Sequence, residues 1–221
     1  MILAGTIKFL KDLKKNNNRP WFDKNKNNYI AAKENIEEVV GQILKGFDKI
    51  DKEIAQLEAK SCLFRIYRDV RFSKDKSPYK TNMGAWMNRG GKKVDNAGFY
   101  FHCEPGQAFV AGGYYMPQPP ALNKIRQEID YNFDEWKKII HHKSFKKYFT
   151  KGVDGIEILS RPPKGYDDSN PAIEFLKMKS FVVRRPFSDA ELQSKSLVKE
   201  VLKTYETMKP FVDFLNHAVA E

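Results

Sequence analysis

Residues 98–115 read GFYFHCEPGQAFVAGGYY, a stretch rich in aromatic residues. Two runs, at 98–104 and 107–115, flank Pro105-Gly106, a dipeptide typical of a tight turn between paired strands. The run at residues 83–88 has a similar strand-like composition a short distance upstream. Because the connections between these runs are short, we expect the strands to pair as an antiparallel meander.

Helical periodicity flanks this block of strands on both sides. Apolar residues recur every three or four positions before residue 48 and again after residue 119. Strands that form one block between helices predict an α+β fold with an antiparallel sheet of about 4–6 strands, flanked by helices from both termini and the middle of the chain. We expect a single domain over residues 1–221, with N-terminal helices at about 6–48, a sheet core at about 60–116 and a helical and mixed part at about 119–219.

A further strand, or a strand that runs into an extended loop, is predicted at the start of the sheet core, because the hydropathy alternates with a period of two over residues 64–72. Residues 73–78 then have the composition of a turn. In an extended chain, alternate side chains share one face of the sheet. The polar residues predicted to share a face are Arg65, Tyr67, Asp69 and Arg71.

Positive charge is concentrated in this part of the chain. The 39 Lys and Arg residues and the 28 Asp and Glu residues give a net charge of +11. Between Lys60 and Lys93 there are ten basic residues and two acidic ones, so this window carries +8. Three of the nine Arg residues fall at 65–71. Because the planar guanidinium matches phosphate and carboxylate oxygens two at a time, this clustering indicates an anionic partner.

Composition excludes several classes of protein. The chain is 41% hydrophobic and contains three Trp, ten Tyr and sixteen Phe, which is too much apolar surface for a disordered segment. No run reaches the roughly 18 apolar residues of a membrane span. Gly5, Thr6 and Lys8 interrupt any signal-peptide core, so we expect a cytoplasmic protein with no membrane partner. Cys62 and Cys103 form no C-x-x-C motif and are expected to be free thiols.

The segment at residues 64–80, FRIYRDVRFSKDKSPYK, resembles the signature of a bacterial family of conserved hypothetical proteins, domain-of-unknown-function family 2461. The resemblance covers nearly the whole chain. It extends to residues 9–10, 18–22, 98–102, 104–106, Pro117, Phe181 and 210–215. The resemblance implies a single compact domain and carries over no catalytic residue or cofactor, so function is inferred from the residues themselves.

The Arg-rich segment is predicted to bind an anion, with a phosphorylated small molecule as the first expectation. Arg65 and Arg71 would grip it, and the Asp69 carboxylate would orient their guanidinium groups. The alternative is a structural network of salt bridges that joins strand to turn without a ligand. The predicted ligand-binding residues are Arg65, Tyr67, Arg68, Asp69, Arg71, Asp75, Lys76, Tyr79 and Lys80.

His102 is a candidate catalytic acid or base, because it lies between Tyr100 and Glu104 on one face of a predicted strand. Asp69 is a second catalytic candidate. A hydrogen-bonded histidine with no catalytic role is the alternative for His102. No metal-ligand spacing and no P-loop or dinucleotide motif occurs, so no metal is assigned and the cofactor is unknown.

Three functions stay open from the sequence, and whether the protein is an enzyme is undecided. The first is binding of an anionic small molecule, with or without catalysis. The second is nucleic-acid binding, in which the basic window would follow a phosphate backbone and Tyr67, Tyr79 or Trp86 would stack on bases. The third is a structural or interaction role in which residues 64–80 only hold strand to turn.

Overall fold

The computed structural model of the protein describes residues 1–220. Within these residues the protein is α+β, with one antiparallel sheet of four strands in the order β1-β2-β3-β4. The strands are β1 (Met83–Met87), β2 (Gly98–Cys103), β3 (Ala108–Tyr114) and β4 (Phe181–Phe187). The predicted fold class and the predicted meander of β1, β2 and β3 are therefore confirmed.

Helices precede and follow the meander, and a 3-10 turn at Phe47–Lys49 follows the third of them. Across residues 1–220, none of the helices combines the length and the apolar character needed to span a membrane. The helices are α1 (Ala4–Lys15), α2 (Arg19–Lys24), α3 (Lys26–Gly46), α4 (Lys52–Ala55), α5 (Ala59–Cys62), α6 (Pro119–Tyr131), α7 (Phe133–Ile140), α8 (Lys143–Tyr148), α9 (Ile173–Leu176), α10 (Asp189–Leu192) and α11 (Leu197–Val219).

The chain divides into two compact units. The first comprises Met1–Lys92, Tyr100–Val110 and Pro186–Lys203. The second comprises Lys93–Phe99, Ala111–Arg185 and residues 204–220. The single-domain organisation of the chain stays a prediction.

The core of the first unit is formed largely by α1 and α3. Leu10 and Leu13 on α1 and Ile43 on α3 are fully buried, as expected for apolar residues that recur at helical spacing. A Cβ at Gly46 would lie 2.1 Å from a methyl carbon of Leu202. A side chain at residue 46 would force the Leu202 side chain to move, so glycine favours this close packing between the end of α3 and the N-terminal part of α11.

The core of the second unit is aromatic. Trp136 on α7 is fully buried, and its side chain is surrounded by four phenylalanine rings at centroid distances between 5.2 and 6.2 Å. The surrounding rings are Phe175, Phe181, Phe211 and Phe214. Aromatic pairs at such distances contribute stability beyond the burial of their area.

The strand predicted at residues 64–72 is wrong. This segment forms only two isolated antiparallel bridges, Leu63 with Ala85 and Tyr67 with Tyr79. From the first bridge to the second, the chain advances four residues between Leu63 and Tyr67 but spans six residues between Tyr79 and Ala85. The unequal spacing means that a bulge interrupts the pairing. Beyond residue 68 the backbone bonds to side chains of its own loop, and the predicted shared face of alternate residues does not form.

Candidate functional site

Arg68 closes the loop at residues 68–77. Its guanidinium contacts the Asp75 carboxylate and donates to the carbonyl oxygen of Ser77 at 3.1 Å and to Oγ of Ser73 at 3.3 Å. The hydroxyl and the backbone N–H of Ser77 also donate to Asp75, at 2.6 and 2.9 Å. These Ser77 hydrogen bonds, together with Arg68, lower the pKa of Asp75 to about 2. Both carboxylate oxygens of Asp75 and both terminal nitrogens of Arg68 thus have partners within the loop.

Asp69 and Arg71 form a two-pronged pair on the surface of the same loop. Nε of Arg71 donates to Oδ1 at 3.0 Å, and Nη2 donates to Oδ2 at 2.7 Å. These hydrogen bonds hold the pKa of Asp69 below its usual range. Lys76 donates to the carbonyl oxygen of Val70 at 2.9 Å. Of the two arginines that Asp69 was expected to orient, it hydrogen-bonds only to Arg71, since Arg65 makes no hydrogen bond to it within residues 1–220.

Tyr79 belongs to the core rather than to the surface of the Arg-rich segment at residues 64–80. It is 4% exposed, and its ring stacks on Phe22 with centroids 3.9 Å apart and planes at 12°. Asn17 holds its backbone from both sides, at 3.1 Å to the N–H and 2.9 Å to the carbonyl oxygen. The prediction that Tyr79 stacks on a base is therefore wrong, because its ring is enclosed. Tyr67, at 51% exposure, remains accessible.

Two lysines lie against the Phe64 ring, and the charge of Arg65 acts on one of them, Lys80; we call Phe64, Arg65, Lys80 and Lys92 the Phe64 cluster. The Nζ atoms of Lys80 and Lys92 lie 5.4 and 5.5 Å from the centroid of the Phe64 ring. Burial, and then the positive charges of Arg65 and Lys92, lower the pKa of Lys80. Within residues 1–220, no carboxylate lies at ion-pair distance from any of these three cations.

Tyr100 and His102 of β2 and Glu104, which directly follows β2, form a hydrogen-bonded chain, which we call the Tyr-His-Glu chain. The hydroxyl of Tyr100 lies 3.0 Å from Nδ1 of His102, and Nε2 of His102 lies 3.3 Å from Oε2 of Glu104. Because a carboxylate only accepts, Nε2 carries the hydrogen, and in the neutral imidazole Nδ1 then accepts from the Tyr100 hydroxyl. Burial and the charge of Glu104 raise the pKa of Tyr100 to about 12, so this hydroxyl is protonated at neutral pH.

Neighbouring elements hold both the acidic end and the middle of this chain. The second oxygen of Glu104 accepts from the Thr81 hydroxyl at 3.0 Å and lies 3.4 Å from Nζ of Lys14. The His102 ring stacks on Phe109 of β3, with centroids 4.5 Å apart. The side chains of His102 and Glu104 are each 12% exposed. The predicted position of His102 between Tyr100 and Glu104 is thus observed.

Phe64 links the Phe64 cluster to the Tyr-His-Glu chain. Its ring meets the Tyr100 ring edge-on at a centroid distance of 6.2 Å. The backbone N–H of Phe64 donates to the carbonyl oxygen of Gly84 at 2.9 Å, which holds the residue against β1. The Phe64 cluster and the outer end of the Tyr-His-Glu chain therefore adjoin each other within the first unit.

A family model described as "Conserved hypothetical protein (DUF2461)" matches residues 5–214. The chain belongs to this family. No curated protein and no solved structure matches the chain. Among residues 1–220 of this family member, no group of three or more His, Cys, Asp or Glu side chains is placed to hold a metal ion.

Several residues of the candidate site were not in the predicted ligand-binding set. Lys92 lies in the basic window, but nothing in the sequence distinguishes it from the other lysines there. Tyr100 and Glu104 could have been added from the period-two alternation around His102. Lys14 and Thr81 carry no sequence signal, because only the fold brings them to Glu104.

Apart from Tyr67 and Tyr79, which pack with Phe22, the predicted ligand-binding residues are divided between two places. Arg65 and Lys80 lie in the Phe64 cluster, whose Phe64 ring contacts Tyr100, the hydrogen-bond partner of the candidate acid or base His102. Asp69, the second catalytic candidate, pairs with Arg71 and makes no hydrogen bond to the Tyr-His-Glu chain within residues 1–220. The residues that lie in the 68–77 loop are Arg68, Asp69, Arg71, Asp75 and Lys76.

Proposed function

We propose that the protein binds a small phosphorylated anion at the Phe64 cluster. The observation that carries this proposal is that Arg65, Lys80 and Lys92 lie together with no carboxylate at ion-pair distance among residues 1–220. Like charges held together repel one another, which is one cause of the lowered pKa of Lys80. A bound anion would relieve this repulsion.

Each residue of the cluster has a distinct role in the proposal. Arg65 is exposed and offers the two-pronged contact that suits phosphate oxygens. Lys80 and Lys92 add single charges. Phe64 is 46% exposed and offers an apolar face for the organic part of the ligand. Arg71 plays a smaller part than expected from the sequence, because Asp69 already occupies two of its donors.

Thermal melting with a panel of nucleotides, sugar phosphates and pyrophosphate tests the proposal. A ligand that binds only the folded state raises stability by about 2.7 kcal/mol at a hundredfold excess over Kd. We expect such a shift for the wild type with at least one phosphorylated compound and its loss in Lys80→Met. Lys74→Met is the matched control, because it removes one positive charge from the exposed 68–77 loop. The proposal fails if no compound shifts the wild type, or if the control loses the shift equally.

A second candidate function is binding of single-stranded nucleic acid, and one observation favours it. Phe72 is 96% exposed at the tip of the 68–77 loop, and the Arg71 guanidinium lies 5.8 Å from the centroid of its ring. Exposed aromatic rings among cations are what base stacking on a nucleic-acid-binding protein requires.

Fluorescence anisotropy with a labelled single-stranded oligonucleotide, measured over a range of salt concentration, tests this second function. Binding should weaken with salt by a log–log slope of about −0.7 per phosphate contacted. Phe72→Ala should weaken binding without changing the melting temperature, since the ring is almost fully exposed. An unchanged affinity in this variant, or no binding by the wild type, excludes the function.

A further inference from the structure

A cavity of about 470 Å³ lies on the surface of the first unit. Its volume falls within the range of small-molecule sites, which is roughly 300–1,000 Å³. Five of its six lining residues come from α3 and the sixth comes from α5, and none of them belongs to the Phe64 cluster. The lining residues are Tyr29, Ile30, Lys33, Glu34, Glu37 and Lys60.

The cavity brings together two cations and two anions that are not paired with one another. Lys33 and Glu37 are only partly exposed and lie one helical turn apart, a spacing at which opposite charges on a helix can meet. Among residues 1–220, neither side chain has an oppositely charged group at ion-pair distance, and the same holds for Glu34 and Lys60. All four charged groups are therefore open to interaction with a ligand in the cavity.

Tyr29 and Ile30 add an apolar surface to these charges. The Tyr29 ring is held in place by Phe9 and Phe22, at centroid distances of 6.1 and 5.1 Å. Ile30 is 42% exposed, which is a large fraction for an aliphatic side chain. Burial, and then the nearby Tyr67, raise the pKa of Tyr29. Its hydroxyl is therefore protonated at neutral pH and is able to donate a hydrogen bond.

We propose that this cavity binds a small zwitterion, either an amino acid or a peptide of two or three residues with free amino and carboxyl ends. Glu34 and Glu37 bind its ammonium group. Lys33 and Lys60 bind its carboxylate, and the Tyr29 ring contacts an apolar side chain of the ligand. A ligand with charge of one sign would match only two of the four charged groups and would be repelled by the other two.

The length of the cavity suits a ligand of this size. Tyr29 and Glu37 are eight residues apart on α3, which corresponds to about 12 Å along the helix axis at about 1.5 Å per residue. An extended peptide advances by about 3.3–3.6 Å per residue, so three residues span about 10–11 Å. A longer extended peptide would project beyond the lining residues.

Saturation-transfer NMR titrations of the full chain with leucine and with leucyl-leucine test the proposal. We expect the wild type to bind at least one of these compounds. N-acetyl-leucyl-leucine lacks the ammonium group, and leucyl-leucinamide lacks the carboxylate. Each of these two compounds should bind about tenfold more weakly than leucyl-leucine, because each loses one charge-assisted set of hydrogen bonds.

Two variants identify the groups that bind each end of the zwitterion. Glu37→Gln should weaken the binding of leucyl-leucine by about tenfold and leave that of N-acetyl-leucyl-leucine almost unchanged, because this compound already lacks the charge that Glu37 binds. Lys33→Gln should likewise weaken the binding of leucyl-leucine but not that of leucyl-leucinamide. Lys45→Gln is the control, since Lys45 is exposed on the same helix outside the cavity, and it should bind all the compounds as the wild type does.

The outcomes decide the proposal and the kind of zwitterion. Tighter binding of leucyl-leucine than of leucine supports a peptide site, and equal binding supports a site for free amino acids. The proposal is overturned if the wild type binds neither compound, or if the two end-blocked compounds bind as tightly as leucyl-leucine. Unchanged binding in both Glu37→Gln and Lys33→Gln overturns it as well. The cavity shares no residue with the Phe64 cluster, so these results are independent of the test with Lys80→Met.

Discussion

Gly84 on β1 lies directly beneath the side chain of Tyr100 on the neighbouring strand β2. A Cβ built at Gly84 would be 2.5 Å from the Tyr100 hydroxyl oxygen and about 3 Å from two carbons of its ring. Carbon atoms do not approach an oxygen this closely. The absence of a side chain at Gly84 is therefore what allows the Tyr100 hydroxyl to sit at hydrogen-bond distance from His102.

Gly84→Ala should displace Tyr100 and lower the free energy of unfolding by about 1–3 kcal/mol, the usual cost of overpacking a well-filled site. The cost should be smaller when the same change is made together with Tyr100→Phe, because the atom nearest to the new methyl group is then missing. Urea unfolding of the wild type, both single variants and the double variant measures this. Strictly additive costs would contradict the proposed steric relationship.

Asp75→Asn should lower the melting temperature at neutral pH, because asparagine cannot replace the carboxylate that accepts from Ser77 and Arg68. The pKa of Asp75 is lowered to about 2 in the folded protein, so its stabilising effect is present above the unfolded value of about 3.9. The effect is lost as the pH falls towards 2.

The difference in melting temperature between wild type and Asp75→Asn should therefore be constant from about pH 5 to 7 and disappear near the lowered pKa. Calorimetric melts across this range measure it. Glu34→Gln removes an exposed carboxylate from α3 and should show no comparable loss. A difference for Asp75→Asn that persists unchanged to pH 2 would show that the carboxylate is not held by these contacts.

Tyr79→Ala should lower the free energy of unfolding by about 3–5 kcal/mol, as expected when a buried aromatic ring is removed. Tyr79→Phe should retain most of the stability, since it keeps the stack on Phe22. Tyr67→Ala is the comparison from the same motif and should cost much less, because Tyr67 is 51% exposed. Equal costs for the two alanine variants in denaturant unfolding would refute a core role for Tyr79.

Arg126→Met should leave the stability unchanged or raise it. Arg126 on α6 is 6% exposed, its Nη2 donates to the Met178 carbonyl oxygen at 3.1 Å, and its Nε is buried without a partner. Methionine fills a similar volume without burying a charge, and such replacements are often neutral or stabilising. Arg126→Ala leaves a cavity and should be clearly destabilising. Urea unfolding that ranks methionine no better than alanine would disprove this interpretation.

Local patterns in the sequence predicted the parts of the structure that depend on local forces. The turn at Pro105-Gly106 forms as expected, with Gly106 at a φ of +77°, a conformation that glycine adopts without strain. The alternation of Tyr100 and His102 along β2, continued by Glu104 just after the strand, likewise predicted three polar side chains on one face. A period of two describes which side chains share a face of an extended chain, and here the backbone is extended and paired.

The same period of two predicted a strand at residues 64–72 that does not form. Hydropathy does not specify which groups the backbone N–H and carbonyl groups will hydrogen-bond to. There the loop supplies the partners itself, through Lys76 on the Val70 carbonyl oxygen and Asp69 on the Arg71 N–H. Turn-forming side chains of this kind compete with the hydrogen bonds of a sheet.

By itself, the sequence determined the fold class, the three-stranded meander, the concentration of positive charge and the place of His102 between two polar residues. Only the tertiary structure decided which charges are paired. Arg68 and Arg71 acquire carboxylates from their own loop, whereas Lys80 and Lys92 meet at Phe64 and the charge of Arg65 acts on Lys80, with no carboxylate at ion-pair distance from these three among residues 1–220. The physical reason is that electrostatic interactions depend on distances between side chains that are far apart in the sequence, and those distances exist only once the chain has folded.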